Sequence, residues 1–224
     1  LYANIYHEIP LRRKINKMII AETPEWIVVN KPAGWLTIPG RGHADAPILL
    51  EWVRTRQPEA MVVHRLDLQT SGVVLFAIGP DAHRKANRWF SHRETKKIYL
   101  LLASGVPSAP ILKITQPIEG TPATTQVEVK ECFHEGFLAV ARPVTGRRHQ
   151  IRIHLKSKGH PLWGDGQYGG LKEIPFQSSV LNVPRVALHA SRLELPSGEK
   201  FEAPMPEDFS GWLSELRSRG TKNA

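Results

Sequence analysis

Residues 61–78 read MVVHRLDLQTSGVVLFAI, and the architecture follows from how this stretch is built. Residues 61–63 predict a brief strand, and residues 73–78 form a continuous apolar run of the kind buried inside a sheet. Between them lies HRLDLQTSG, nine mostly polar residues with a carboxylate, Asp67, two positions after Arg65. A tight turn accounts for part of it, with Asp67, Thr70 and Ser71 bonding to local backbone and Gly72 supplying positive φ. A turn needs one or two of these residues, not all nine, so an acid set between two strands is a candidate for chemistry.

Outward from this stretch the pattern is strands joined by short turns, with helices interspersed. On the N-terminal side, residues 26–29 are a strand-like apolar run ending in Asn30, Lys31 and Pro32, followed by a loop rich in Gly and Pro. Residues 49–56 predict a helix stopped by Pro58. On the C-terminal side Pro80 suits a first helical turn, and Ala82, Ala86, Trp89, Phe90 and Arg93 recur at helical spacing. Residues 99–103 predict a buried strand, and 125–132 with 137–144 a hairpin. In GRRHQIRIHLKSKG, Ile151 and Leu155 share one face, predicting a helix over about 147–158, with strand alternation as the alternative. Residues 185–195 and 200–202 predict a second hairpin, and 209–217 a closing helix. The order predicts an α+β domain around a mixed, largely antiparallel central sheet flanked by helices and loops. Its expected extent is 26–217, after an arm or edge segment at 1–25 and before a tail at 218–224.

The formal charge is +9, carried in two places. Residues 81–97 net +4 and 142–158 net +6, so the rest of the chain nets −1. Each basic stretch adjoins a candidate motif, as expected where two elements line a groove for a polyanion, whereas a solvated face is the ordinary reading of either alone. No apolar run is long enough to cross a bilayer. The single Cys132 excludes an internal disulfide and a cysteine-built zinc site, and with no export signal it fits a reducing cytoplasm.

With these residues in view, the chain resembles the RluA-type pseudouridine synthases, whose signature reads HRLD, two variable residues, then TSG. The similarity continues through VVNKPAG (28–34), KKIY (96–99), GRRHQIRIH (146–154), GHPLWGDGQYG (159–169), LHASRLEL (188–195) and FEAPMPEDF (201–209). RsuA-type relatives tend instead to carry GRLD and an RQIRR-like block, so His64 and His149-Gln150 favour the RluA type. The resemblance implies the pseudouridine synthase fold and isomerisation of uridine in structured ribosomal or transfer RNA, while the residues before Trp26 are too few for the small S4-type RNA-binding domain that many relatives carry, so none is expected. It implies Asp67 as the catalytic carboxylate, Tyr99 as the aromatic packing on the target uracil, and Arg152 as the guanidinium paired with Asp67, in a contact expected to be bidentate. Arg65 is implied to fill the space left by a flipped base. His64, Lys31, Lys96, Arg147 and Arg148 join it as expected RNA contacts.

The reaction must break the bond from N1 to C1′, turn the base, and join C5 to C1′. Attack at C1′, sugar-proton chemistry and addition at C6 all remain open for Asp67. A redox-neutral isomerisation implies no cofactor and no metal, and His149 with His154 is too sparse a pair to bind one. A monomer without membrane attachment or an obligate protein partner is expected. Asp165 is expected to stabilise a Gly-rich turn. Arg148 stands where the family commonly has Thr or Ser, and Trp163 replaces a smaller apolar residue, which implies a bulkier, more basic groove wall. A catalytically silent RNA-binding module and a glycosidase-like hydrolase are the alternatives. The first would lose the chemistry carried by Asp67, Tyr99 and Arg152, and the second requires two acids flanking the scissile bond.

Overall fold

The structure is a computed structural model that describes residues 18–40, 42–176 and 179–220. Most of the expected N-terminal arm, and residues 221–224 of the tail, lie outside the described residues. In chain order the elements are β1 (Ile19–Glu22), β2 (Trp26–Lys31), α1 (Leu49–Arg54), β3 (Ala60–Val62), β4 (Ser71–Ile78), α2 (Gly79–Ser91), β5 (Lys96–Ser104), β6 (Ile111–Ile114), β7 (Thr125–Cys132) and β8 (Gly136–Pro143). There follow α3 (Gln150–Ser157), β9 (Glu173–Phe176), β10 (Ser179–Asn182), β11 (Leu188–Glu194), β12 (Lys200–Glu202) and α4 (Glu207–Arg219).

One large sheet runs β1-β2-β4-β11-β5-β8-β7-β6, with β12 beside β11 and β3 beside β4, while β9 and β10 form a separate hairpin. The pairing of β4 with β11 is parallel and the other pairings between these named strands are antiparallel, the mixed, largely antiparallel α+β arrangement expected. β1 lies within the segment read as an arm and extends the sheet edge beside β2. β6 and the β9–β10 hairpin are short strands that the sequence pattern did not reveal.

Period-two alternation explains why β4 reads as an unbroken apolar run. Val73, Leu75 and Ala77 pack against Ala82, Ala86 and Trp89 of α2, while Val74 and Phe76 face the opposite way onto Leu49 and Val53 of α1. β5 does the same in the other half of the sheet: Leu101 and Ala103 meet Ile151 and Leu155 of α3, and Leu102 meets Phe209 and Trp212 of α4. Tyr99, half-buried at the head of β5, packs against both the α1-side and α3-side clusters. The two halves of the fold therefore meet on one face of the sheet at Tyr99.

β4 joins β11 only at its first residues, Ser71 and Gly72, opposite His189 and Ala190, and it joins β3 at its last, 76–78. At this fork Gly72 has φ 119°, and a Cβ there would stand 2.2 Å from the carbonyl oxygen of Ala190. A Gly72→Ala substitution is expected to force the two strands apart and to cost upwards of about 4 kcal/mol, read from the urea midpoint. The same fork leaves the Leu75 N–H to be met by a side chain, and His64 Nε2 accepts it at 3.0 Å. Trp163 is fully buried against Phe133, Leu138 and α4. It is therefore core and not groove wall, a correction to the expectation. Gly136 leaves room for its ring, since a Cβ there would come within 2.9 Å of the indole.

Candidate active site

The loop from residue 63 to residue 70 is held at several points, which fixes where Asp67 points. Leu66 is buried. Its N–H donates to Thr37 Oγ1 at 3.1 Å, and that hydroxyl donates back to the Leu66 carbonyl at 3.2 Å. The Thr70 N–H closes a turn on the Asp67 carbonyl at 3.1 Å, and Gly34 N–H donates to the Leu68 carbonyl at 2.8 Å. With the backbone tied down, Arg65 stands exposed and the Asp67 side chain keeps 28% of its surface.

Lys31, expected among the RNA contacts, is part of this support instead. It has no exposed surface, and its Nζ donates to the carbonyls of Trp35 (2.7 Å), Pro32 (3.0 Å) and Leu68 (3.2 Å). An ammonium with all three hydrogens engaged inside the protein cannot reach a phosphate. Burial brings its pKa down to about 7 from the ordinary 10.5, with Asp67 opposing the fall and Arg185 adding to it. Between pH 7 and 10.5 the unfolded chain then holds a proton that the folded chain lacks, so stability rises with pH across that window. Urea midpoints of the native protein are expected to climb from pH 7 towards 10.5 more steeply than those of Lys31→Met, which lacks the titrating amine.

His64 is likewise committed to the fold. Accepting the Leu75 N–H requires a neutral ring, and burial, with Lys97 adding to it, holds its pKa down to about 3. The imidazole also stacks on Phe90 at 4.8 Å. Its ring edge lines the cavity, but both its charge and its Nε2 lone pair are unavailable to RNA.

Across the cleft, α3 begins later than the apolar spacing predicts, because His149 sits in the left-handed region at φ 54° and ψ 22°. Gln150 pins that turn. Its Oε1 accepts from Thr145 Oγ1 (2.6 Å) and the Arg147 N–H (3.0 Å), and its Nε2 donates to the Thr124 carbonyl and Thr125 Oγ1, both at 2.9 Å. One turn into the helix, Arg152 points at Asp67. Its bidentate partner, however, is Asp165, with Nε to Oδ2 and Nη2 to Oδ1 both 2.7 Å. Asp67 receives a single longer contact, Nη1 to Oδ2 at 3.5 Å. The expected bidentate Arg152–Asp67 pair is corrected accordingly, and so is the reading of Asp165 as a turn-stabilising residue alone. Burial works against the Arg152 charge, but the hydrogen-bonded Asp165 carboxylate outweighs it and raises the guanidinium pKa.

Gln167 Oε1 accepts from Arg152 Nη2 at 3.2 Å, and the Tyr168 ring lies 4.9 Å beneath the guanidinium. The Tyr168 hydroxyl meets His149 Nδ1 at 2.9 Å, and His149 Nε2 stands 3.7 Å from Asp67 Oδ1. Asp165, Gln167, Tyr168 and His149 carried no site assignment from the sequence. They lay within the matched blocks, but no spacing signals that residues 149–152 and 165–168 fold onto one carboxylate.

Asp67, Arg65, His149 and Arg152 form a wall between two cavities of about 420 and 530 Å³. The first contains Tyr99, whose hydroxyl is held protonated by burial and by the Asp67 charge, together with Ile151 and Leu188. Lys97 also lines it. Burial, with Arg93 adding to it, brings the Lys97 pKa down to about 8. The second cavity is bordered by Arg148, Lys172 and the loop at residues 36–40. Arg147 and Arg148 are exposed at the rim, with Arg147 Nε donating to the Pro122 carbonyl at 3.3 Å. Lys96, the first residue of β5, is exposed, its ammonium 3.9 Å from Glu194. The cleft thus brings the Asp67 carboxylate, the Tyr99 ring and the Arg152 guanidinium together within a basic margin. No helix among the described residues is long and apolar enough to span a membrane.

Residues 25–157 match the RNA pseudouridylate synthase family. The chain is 33% identical over 211 residues to the dual-specificity RNA pseudouridine synthase RluA of Escherichia coli (strain K12), a match covering 86% of this chain and 94% of that protein. It is 35% identical over 224 residues to the ribosomal large subunit pseudouridine synthase D of Nitrosomonas europaea, covering 89% of this chain and 65% of the other. Among solved structures, human RNA pseudouridylate synthase domain containing 4 shares the fold, with a TM-score of 0.74 over 93% of this chain and 96% of that one, at 24% identity. The matched segment holds both walls of the cleft, and the chain belongs to the RNA pseudouridylate synthase family, within its RluA type, as an RNA pseudouridine synthase and hence an isomerase.

Proposed function

We propose that this enzyme converts particular uridines of structured ribosomal or transfer RNA to pseudouridine, by flipping the target base into the cavity beside Tyr99 and acting on it with Asp67. The observation that carries the reading is the setting of Asp67: a partly exposed carboxylate at the boundary of a nucleoside-sized cavity, opposite an aromatic ring and tethered by one N–H of an arginine. A bidentate clamp would occupy both carboxylate oxygens. Because Asp165 takes the two strong contacts, Arg152 sets its positive charge beside Asp67 while leaving the carboxylate free to react.

In this reading uracil packs on Tyr99, whose protonated hydroxyl adds no second negative charge near Asp67. Asp67 then engages C1′, a sugar proton or C6. The bond from N1 to C1′ breaks, the base turns within the cavity, C5 joins C1′, and the proton lost from C5 is balanced by one gained at N1. Arg65, exposed beside Asp67 and bordering both cavities, stacks in the gap left by the base. Extrusion costs a few kcal/mol, which backbone contacts from Arg147, Arg148 and the other rim cations offset. One relative is named a dual-specificity RNA pseudouridine synthase and another a ribosomal large subunit pseudouridine synthase, which supports RNA, with ribosomal RNA among the candidates, as the substrate. The test is to incubate the purified protein with total RNA from a strain lacking the enzyme and to map pseudouridine by chemical labelling. New modification at discrete uridines is expected, and its absence across ribosomal and transfer RNA would overturn the reading.

A further inference from the structure

We propose that His149, with its tautomer set by Tyr168, is a positioning residue for the reaction: a second donor that fixes the rotation of the Asp67 carboxylate. This rests on Asp67 being the catalytic carboxylate, and it concerns residues to which neither composition nor motif assigned a task.

The hydrogen-bond chain has one consistent assignment. An ionised carboxylate only accepts, so a neutral His149 facing it must carry its hydrogen on Nε2. Nδ1 is then a bare acceptor, and the group 2.9 Å away is the Tyr168 hydroxyl, which donates to it. The opposite tautomer would aim a lone pair at Asp67 Oδ1. Burial lowers the His149 pKa, and the neighbouring Arg152 and Arg148 reinforce this against the opposing pull of Asp67 and Asp165, which favours the neutral ring that the assignment requires. Arg152 meets Oδ2 and His149 faces Oδ1, so the two donors address different oxygens of one carboxylate. At 3.7 Å the His149 contact is long for a hydrogen bond, as such contacts often are before substrate closes the site.

Backbone geometry points the same way. His149 occupies the left-handed region, sparsely populated by residues other than glycine, and the four hydrogen bonds of Gln150 hold it there. That conformation ends the loop, starts α3 and turns the imidazole into the wall between the two cavities. Tyr168 then couples both partners of Asp67, its ring under Arg152 and its hydroxyl on His149. Tyr168→Phe separates these contributions, because it keeps the ring and removes only the hydroxyl.

Two measurements test the proposal. Steady-state conversion of ribosomal and transfer RNA from a strain lacking the enzyme is compared for the native protein, His149→Leu, His149→Gln, Tyr168→Phe and the Leu/Phe double variant. His149→Leu is expected to lower kcat by roughly 30-fold with KM changed by less than about twofold, the signature of a misoriented reacting group. His149→Gln, whose amide can still donate, should recover part of the loss. The double variant should be no slower than His149→Leu alone, since the hydroxyl acts only through the ring. Separately, long-range proton–nitrogen NMR of the RNA-free protein should find His149 protonated at Nε2 and bare at Nδ1, with the two tautomers mixing in Tyr168→Phe. A hydrogen on Nδ1, native turnover in His149→Leu, or losses that multiply in the double variant would each overturn the proposal. If the native protein makes no pseudouridine, the proposed function fails instead, and the nitrogen spectra still decide the tautomer.

Discussion

Asp67→Asn is expected to abolish pseudouridine formation, lowering kcat by at least about four orders of magnitude, as removal of a reacting group typically does. The amide keeps the shape of the carboxylate and still accepts from Arg152, but it is neither a nucleophile nor a base. RNA affinity should change little, because the proposed binding residues are Arg65, Arg147, Arg148 and the other cations of the cleft and not an acid that repels phosphate. Stability should move by no more than about 1 kcal/mol, since the pair removed is a single 3.5 Å contact to a partly exposed carboxylate. Chemical mapping of pseudouridine, RNA binding by filter retention and urea denaturation check the three parts. Turnover within tenfold of the native rate would remove Asp67 from the chemistry.

Asp165→Asn is expected to damage the fold more than Asp67→Asn does, even though Asp165 lies behind the reacting carboxylate. Its side chain is 1% exposed, that of Arg152 is 8% exposed, and two 2.7 Å contacts join them. Deleting one charge of such a pair strands the other, at a cost of about 3 kcal/mol or more. The freed guanidinium then has Asp67 as its nearest carboxylate. It should close on it bidentately, holding both oxygens that the reaction needs, so turnover is expected to fall by at least about 100-fold. Urea midpoints and pseudouridine yield test the two effects together. If Asp67→Asn proves the more destabilising of the pair, Arg152 is anchored by Asp67 and not by Asp165, and the arrangement proposed for the site is wrong.

The strands and helices of the central sheet were legible because their signals are local. The apolar run at 73–78, the three- and four-residue spacing after Pro80 and the hairpin about residues 134–136 each reflect one element burying one or two faces. β6 and the β9–β10 hairpin were not legible, being four residues per strand without strict alternation. The late start of α3 was hidden for a different reason: the left-handed turn at His149 is held by the side chain of Gln150 bonding to residues 124, 125 and 145, which lie outside the helix, at the start of β7 and in the loop after β8.

The site divides along the same line. Asp67, Tyr99 and Arg152 could be singled out because each stands in a motif whose residue types match a known reaction, and Gly72 because positive φ in a turn leaves few alternatives. The family and the fold class were determined by the sequence, and the roles expected of those residues came from the resemblance. Who pairs with whom was decided by the tertiary structure. Lys31 looked like an RNA contact until three carbonyls closed over it. His64 looked like part of a reactive motif until the fork in β4 required an acceptor for the Leu75 N–H. Arg152 looked like the clamp on Asp67 until residues 165–168 folded in behind it. A side chain's residue type constrains what it is able to do. Which of those things it does depends on desolvation and on the distance to its nearest partner, and both are set by segments far away along the chain.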